Sequence, residues 1–228
     1  ILKMVSRNGA SHVGAALSIV EILNCVYSQV DRARIASGRA DRDRVLLSKG
    51  HATAALYAVL GHQGLLPMED LNSYFANGSV LAGHASHLVP SVEHSTGALG
   101  HGLPVGLGIA LGTRSRGLTS RTYVVVGDGE LHEGSNWEAI MYAGHASVSN
   151  LCLLIDKNER SQMGNTSDAC SIDPLPDKLV AFNWETFVVG DGHDETAILA
   201  ALEAAKSHAR PSAIVCPTTK GKGVSFME

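Results

Sequence analysis

The stretch Thr122-Tyr123-Val124-Val125-Val126-Gly127-Asp128-Gly129, answered by Leu151-Cys152-Leu153-Leu154-Ile155-Asp156-Lys157-Asn158, decides how this chain folds. Each half opens with apolar, largely β-branched or aliphatic residues at consecutive positions, the pattern of a strand buried on both faces. Each closes on polar residues where the strand should end. Between them, Gly134–Ala146 reads as a helix. A strand, a helix and a second parallel strand form a right-handed unit, so the two strand tips lie on the same edge of one sheet. Asp128 and Asn158, thirty residues apart, can therefore approach each other.

Outward from this unit the same alternation continues. Arg44–Leu47, Thr122–Val126, Leu151–Ile155, Glu185–Val189 and Ala213–Cys216 are the candidate strands. Ala15–Val30, Thr53–Gln63, Glu69–Phe75, Leu99–Arg114, Gly134–Ala146 and Asp194–Ser207 are the candidate helices, and the chain opens at Ile1 in a helical pattern. Asp194-Glu195 suits a helix start. These lengths predict an α/β fold with a parallel central sheet and helices on both faces, whose ligands bind at the carboxyl ends of the strands. Asn158–Lys178, without periodicity and rich in Asn, Ser, Asp and Pro, is expected to be an irregular functional loop. No linker or repeat divides the chain, so residues 1–228 are expected to form a single domain.

Composition narrows the function classes. Hydrophobic residues make up 45% of the 228 and charged residues 18%, enough for a full core. Aromatics are only 5% and the net charge is −4. With no basic run, that argues against nucleic acid as a partner. No apolar stretch spans a bilayer and no signal peptide is evident. Cys25, Cys152, Cys170 and Cys216 form no CxxC pair and read as reduced thiols, which points to a cytoplasmic location. Both chain ends have the look of cuts through a longer protein.

The chemistry concentrates at the two strand tips. Gly127 and Gly129 let a ligand approach the backbone while Asp128 aims a carboxylate at it. With Asn158 and the Arg160 carbonyl, the donors are all hard oxygens, which favours Mg²⁺, with Ca²⁺ able to substitute, over zinc. The triplet alone is read equally well as a left-handed turn with Asn158 capping a loop; the spacing and buried strands favour the ion. His84, His87, His94 and His101 fit no common zinc spacing. Neither Gly97-x-x-Gly100-x-Gly102 nor the 127–132 segment matches a dinucleotide or Walker pattern.

Gly127-Asp128-Gly129 with Asn158 resembles the thiamine-diphosphate motif, and Asp128-Gly129-Glu130-Leu131-His132-Glu133-Gly134 resembles transketolases in particular. Further stretches are similar to that family in the same order. They are Ser11-His12-Val13-Gly14, Ser48-Lys49-Gly50-His51, Gly83-His84, Ser95-Thr96-Gly97-Ala98-Leu99-Gly100-His101-Gly102, Asp191-Gly192-His193-Asp194 and Lys220-Gly221-Lys222-Gly223. The last two lean towards N-terminal subunits of split transketolases. The resemblance implies Asp128, Asn158 and the Arg160 carbonyl as Mg²⁺ ligands. It places Gly97, Ala98, Leu99, Gly127 and Gly129 against thiamine diphosphate, His51 at its diphosphate, and His12 and His84 beside the reacting sugar. Glu133 would couple the site to a neighbouring subunit.

The same resemblance implies transfer of a two-carbon ketol unit between ketose and aldose sugars or sugar phosphates. It also implies a partner chain carrying the pyrimidine-binding domain, in a heterotetramer of two chains each, without which the chain binds cofactor weakly and turns nothing over. Ala85 and His101 stand where the family has Pro and Gln, and Tyr74-Phe75-Ala76-Asn77 lacks the expected Arg; these departures point to a specialised sugar. Two other readings stay open. One is another thiamine-diphosphate enzyme, such as a deoxyxylulose-phosphate synthase or a ketoacid dehydrogenase component. The other is a non-catalytic regulatory subunit of the same fold.

Overall fold

A computed structural model describes residues 1–228. Five parallel strands form its sheet: β1 (Arg44–Leu47), β2 (Thr122–Gly127), β3 (Leu151–Lys157), β6 (Glu185–Val188) and β7 (Ser212–Pro217). Their order is β1-β2-β3-β7-β6. The two-residue strands β4 (Arg160–Ser161) and β5 (Gly164–Asn165) make a small antiparallel hairpin apart from it. The consecutive apolar residues of the strands serve opposite faces in turn, as the period of a strand requires. Val45, Leu47, Tyr123, Val125, Cys152 and Leu154 enter one core, while Leu46, Val124, Val126, Leu153 and Ile155 enter the other.

The first core is completed by α1 (Leu2–Asn8), α2 (Val13–Leu17), α3 (Val20–Gln29), α5 (Thr53–His62) and α10 (Glu195–Ala205). The second is completed by α6 (Gly102–Ser115), α7 (Gly134–His145) and α9 (Leu175–Ala181). The short helix α4 (Arg32–Ala36) adds Ile35 to the first core, and the short helix α8 (Thr166–Cys170) adds no residue to either. Every large aliphatic side chain so buried contributes about 1.5–3 kcal/mol, and the helices on both faces make the α/β layering predicted from the sequence. Cys25, Cys152 and Cys216 are buried and Cys170 exposed, all four as free thiols.

Several boundaries differ from the periodicity, each for a local reason. The helix expected over Ala15–Val30 is broken at Ser18 and Ile19, because the buried Ser18 hydroxyl turns to reach Asp156 Oδ2 at 2.8 Å. Glu69–Phe75 shrinks to a single tight turn at Asp70–Ser73, and Phe75 takes a left-handed φ of 61°. The helix expected from Leu99 starts at Gly102, because the Gly100 N–H is taken by Glu130. Asn158–Lys178 is not wholly irregular: it holds the hairpin, α8 and the start of α9. Leu175 and Leu179, four residues apart and buried, anchor α9. The Arg32–Ala36 helix went unread; Asp31 caps it by accepting the Arg34 N–H at 3.1 Å. No helix is long and apolar enough to cross a membrane.

Candidate functional site

The carboxyl tips of β2, β3 and β7 end in register, Gly127 beside Asp156 and Asp156 beside Cys216. Just past them, the Asp128 N–H donates to the Asp156 carbonyl at 3.0 Å. The two tips singled out in the sequence therefore meet. The Asp128 carboxylate is 1% exposed and accepts the N–H groups of Gly129 at 2.8 Å and Glu159 at 2.6 Å. Beside it, Asn158 Oδ1 accepts the Arg160 N–H at 3.0 Å. The Arg160 carbonyl faces Gly129 so closely that a Cβ there would sit 3.4 Å from it and 3.2 Å from Ser161 Cα. Gly129 is what lets the β4–β5 hairpin close over Asp128. Carboxylate, amide oxygen and backbone carbonyl thus share one junction.

Burial pushes the Asp128 carboxyl up to about 6, against the downward pull of its two backbone donors. Of the cations that act on it, Lys49 is already paired with Asp156 and Lys220 makes no salt bridge to it. A buried carboxylate in this condition lacks a cation of its own.

The glycine-rich loop is strapped to the same junction by a residue that the quoted motif contains without a role. Glu130, 2% exposed, accepts the Gly100 N–H at 2.9 Å, the Gly127 N–H at 3.3 Å and the Ser48 hydroxyl. Ser48 Oγ in turn accepts the Gly102 N–H at 3.1 Å, and Ser135 donates to the Gly100 carbonyl at 2.7 Å. Gly100 has a φ of +85°, and a Cβ there would lie 2.5 Å from that of Glu133. Only glycine fits. The strap holds Gly97, Ala98 and Leu99 at the mouth of the site, Gly97 against His84 with 3.4 Å from its missing Cβ to the imidazole. Glu133 itself is exposed, packed on Gly100.

Three histidines from distant segments gather at the opening. The His12 ring centroid lies 5.4 Å from that of His51 and 5.9 Å from that of His84. His12 has a left-handed φ of 65° at the start of α2, and its Nδ1 is hydrogen-bonded to Ser11 Oγ at 2.9 Å. Burial, then Lys49 and the neighbouring histidines, take His51 down to about 3, so its ring is neutral at pH 7. Burial, His84 and Lys220 lower His12 as well. His87 and His101 turn elsewhere, to Ser95 Oγ at 2.6 Å and to the Leu99 carbonyl at 3.1 Å. No group of three or more His, Cys, Asp or Glu is gathered to hold a metal.

Lys220 completes this rim. The Gly221 N–H bonds to the Gly14 carbonyl at 3.1 Å. The Lys220 stem lies 3.3 Å from the Cβ that Gly14 lacks. Burial and then Lys49 lower its ammonium. The strap carrying it is tied down by His193, whose Nε2 accepts the Thr219 N–H at 2.9 Å while Nδ1 bonds Glu21 at 3.0 Å. Beneath everything, Lys49 and Asp156 form an ion pair with side chains 2% and 0% exposed. Lys49, Ser48, Glu130, Asp156 and Lys220 were not picked out from the sequence as site residues. The available signal was a charged residue, Asp156 directly after the apolar run Leu151–Ile155 and Lys49 two positions past Leu47.

The family model "Transketolase, thiamine diphosphate binding domain" matches residues 1–228. The chain is 40% identical over 221 residues to an apulose-4-phosphate transketolase subunit from Actinobacillus succinogenes, covering 95% of this chain and 79% of that protein. It is 37% identical over 230 residues to a 6-deoxy-6-sulfo-D-fructose transketolase subunit from a Clostridium species, covering 100% and 83%. Among solved structures, Pichia stipitis transketolase in complex with sedoheptulose-7-phosphate superposes with a TM-score of 0.90 at 33% identity. Transketolase from Campylobacter jejuni does so with 0.88 at 29%. This chain spans about a third of those two, 35% and 36% of their lengths.

Proposed function

The chain belongs to the transketolase family, as its thiamine-diphosphate-binding domain, and from that premise we propose that residues 1–228 form one cofactor-binding domain of a ketol transferase completed by a partner chain. The observation that carries the reading is the meeting of Asp128, Asn158 and the Arg160 carbonyl at one strand-tip junction, under a rim of basic side chains. Asp128, Asn158 Oδ1 and the Arg160 carbonyl would hold Mg²⁺, all hard oxygen donors with room left for diphosphate oxygens. His51 and Lys220, both pushed down by burial and by neighbouring positive charge, would face the diphosphate, whose negative charge relieves that crowding. When bound, the thiazolium ring supplies the electron sink for cleaving and re-forming the ketol bond.

The chain's own work is binding and proton handling. Neutral His51 donates an N–H to an anion without itself needing to be charged. His12, with Nδ1 occupied by Ser11, leaves Nε2 to exchange a proton with a sugar hydroxyl, and His84 lies across from it. The glycine loop held by Glu130 would form the wall against which the cofactor rests. The Actinobacillus and Clostridium relatives act, by their names, on unusual sugars. Together with Ala85 and His101 at positions where the family has Pro and Gln, this favours a specialised ketose or aldose over the central-metabolic pair. Both relatives are also named as single subunits of their transketolases, which supports a partner bearing the pyrimidine-binding domain.

The test is an assay of the chain reconstituted with that partner, with Mg²⁺ and thiamine diphosphate supplied. Ketol transfer without CO₂ release is expected, and His12→Ala should lower kcat about 10²–10⁴-fold. Release of CO₂ from a 2-ketoacid would assign the chain to the decarboxylating branch instead. Efficient turnover of xylulose 5-phosphate with ribose 5-phosphate would remove the case for a specialised sugar.

A further inference from the structure

We infer that Asp156, held by Lys49, is a positioning residue that orients the amide of Asn158 so that its oxygen, not its nitrogen, is offered to the metal. This rests on the reading of Asn158 as a metal ligand.

An asparagine is an ambiguous ligand. Its oxygen can coordinate a hard cation and its NH₂ cannot, and the two ends have nearly the same shape, so a half-turn of the side chain exchanges them. Something must choose. At Asn158 the choice is made by two hydrogen bonds of opposite sense. Oδ1 accepts the Arg160 N–H at 3.0 Å, and Nδ2 donates to Asp156 Oδ2 at 2.8 Å. The first is a single bond within an exposed loop. The second runs to a carboxylate that is fully buried and cannot itself turn.

Asp156 cannot turn because it is held from every side of the site. Lys49 from the tip of β1 and Ser18 from the end of α2 reach the same oxygen that Asn158 uses, Ser18 at 2.8 Å. Thr218, just past β7, donates to the other oxygen. All four partners donate, so the group must act as an acceptor. An ionised carboxylate does this with both oxygens, and the Lys49 ammonium, 2% exposed, supplies the matching charge. A flipped Asn158 would turn a carbonyl oxygen towards that carboxylate, acceptor against acceptor. The arrangement also explains why the strand-tip residue is an acid two positions before the ligand: it is buried where β3 ends, and Asn158 is the first side chain beyond it able to fold back. Partners of metal ligands typically account for about 10–100-fold in metal affinity.

The test compares two double variants of the chain, each reconstituted with its partner chain: Lys49→Met with Asp156→Asn, and Lys49→Met with Asp156→Leu. Both remove the buried charges together, which proteins often tolerate without loss of stability. They differ in whether residue 156 still offers an oxygen to Asn158. Mn²⁺ binding in the presence of thiamine diphosphate is read by electron paramagnetic resonance, and folding by circular dichroism. The Asn-containing pair should bind Mn²⁺ about 10–100-fold more tightly than the Leu-containing pair. Equal affinities in two folded variants would overturn the assignment. If the Leu-containing pair does not fold, the wild-type chain decides: the Asn158 side-chain NH₂ protons must be protected from hydrogen exchange before metal is added, and rapid exchange overturns it. Failure of the wild-type chain to bind Mn²⁺ even when reconstituted with its partner chain would instead count against the proposed function.

Discussion

Replacing Asp128 with Asn is expected to abolish Mg²⁺-dependent binding of thiamine diphosphate while leaving the metal-free protein at least as stable as before. The two effects have one cause. Asp128 is buried without an ion-pair partner, and burial lifts its carboxyl from near 3.8 to about 6. A folded-state value above the unfolded one means the ionised form costs stability. That cost is absent below about pH 4, grows as the pH rises, and is complete above about pH 6. Two units correspond to about 3 kcal/mol at neutral pH. D128N removes the charge and should regain about 1–3 kcal/mol in the metal-free state, since the new NH₂ offsets part of the gain. It should also flatten the stability profile between pH 4 and 7. Cofactor affinity in Mg²⁺ should fall by more than the ~100-fold upper end for outer-shell losses, because a coordinating charge is gone. Calorimetric titration alongside urea unfolding measures both. A variant that is both strongly destabilised and still binds cofactor would show that the carboxylate serves the fold.

Lys49→Met is expected to act in the opposite way, as a stability lesion. The ammonium and the Asp156 carboxylate are both withdrawn from water, and removing one partner strands the other. Breaking a buried pair in this manner costs about 3–5 kcal/mol, or roughly 6–20 °C in Tm for a chain of this size. In the intact protein, burial alone would raise Asp156, but Lys49 and the hydrogen bonds from Lys49, Thr218 and Ser18 outweigh it and hold the carboxyl below its usual range. The pair's contribution is therefore present above about pH 4 and is lost as the pH falls through the lowered folded value. In Lys49→Met the unpaired carboxyl is raised instead, so acidification relieves the variant. The gap in stability between the two proteins should narrow from pH 7 to pH 4. A constant gap would place the effect in lost packing of the lysine stem.

The parallel sheet was legible because its central strands β2 and β3 carry unbroken apolar runs, Tyr123–Val126 and Leu151–Ile155, although the edge strand β6 holds Glu185 and Thr186. Val124 and Val125 fill opposite cores, and no other element explains such a run. The strand tips were legible for a related reason: Gly127, Asp128 and Asn158 are polar or small residues that interrupt those runs. Helix boundaries were less so. Ser18 and Gly100 break helical periodicity for the sake of partners far away in sequence, Asp156 and Glu130, and periodicity cannot see a partner. The burial and pairing of Lys49 and Asp156 were not legible, because charged residues are ordinarily assigned to the surface. Only the folded chain shows that each is the other's reason for being inside.

The most direct measurement is a crystal of this chain together with its partner chain, grown with Mn²⁺ in place of Mg²⁺ and with thiamine diphosphate. Anomalous scattering then locates the ion without assumption. One strong peak is expected within coordination distance, ~2 Å for ions of this class, of an Asp128 carboxylate oxygen, Asn158 Oδ1 and the Arg160 carbonyl, with His51 and Lys220 in contact with the diphosphate. A peak among the histidines, or ordered cofactor with no ion at the β2–β3 junction, would contradict that expectation.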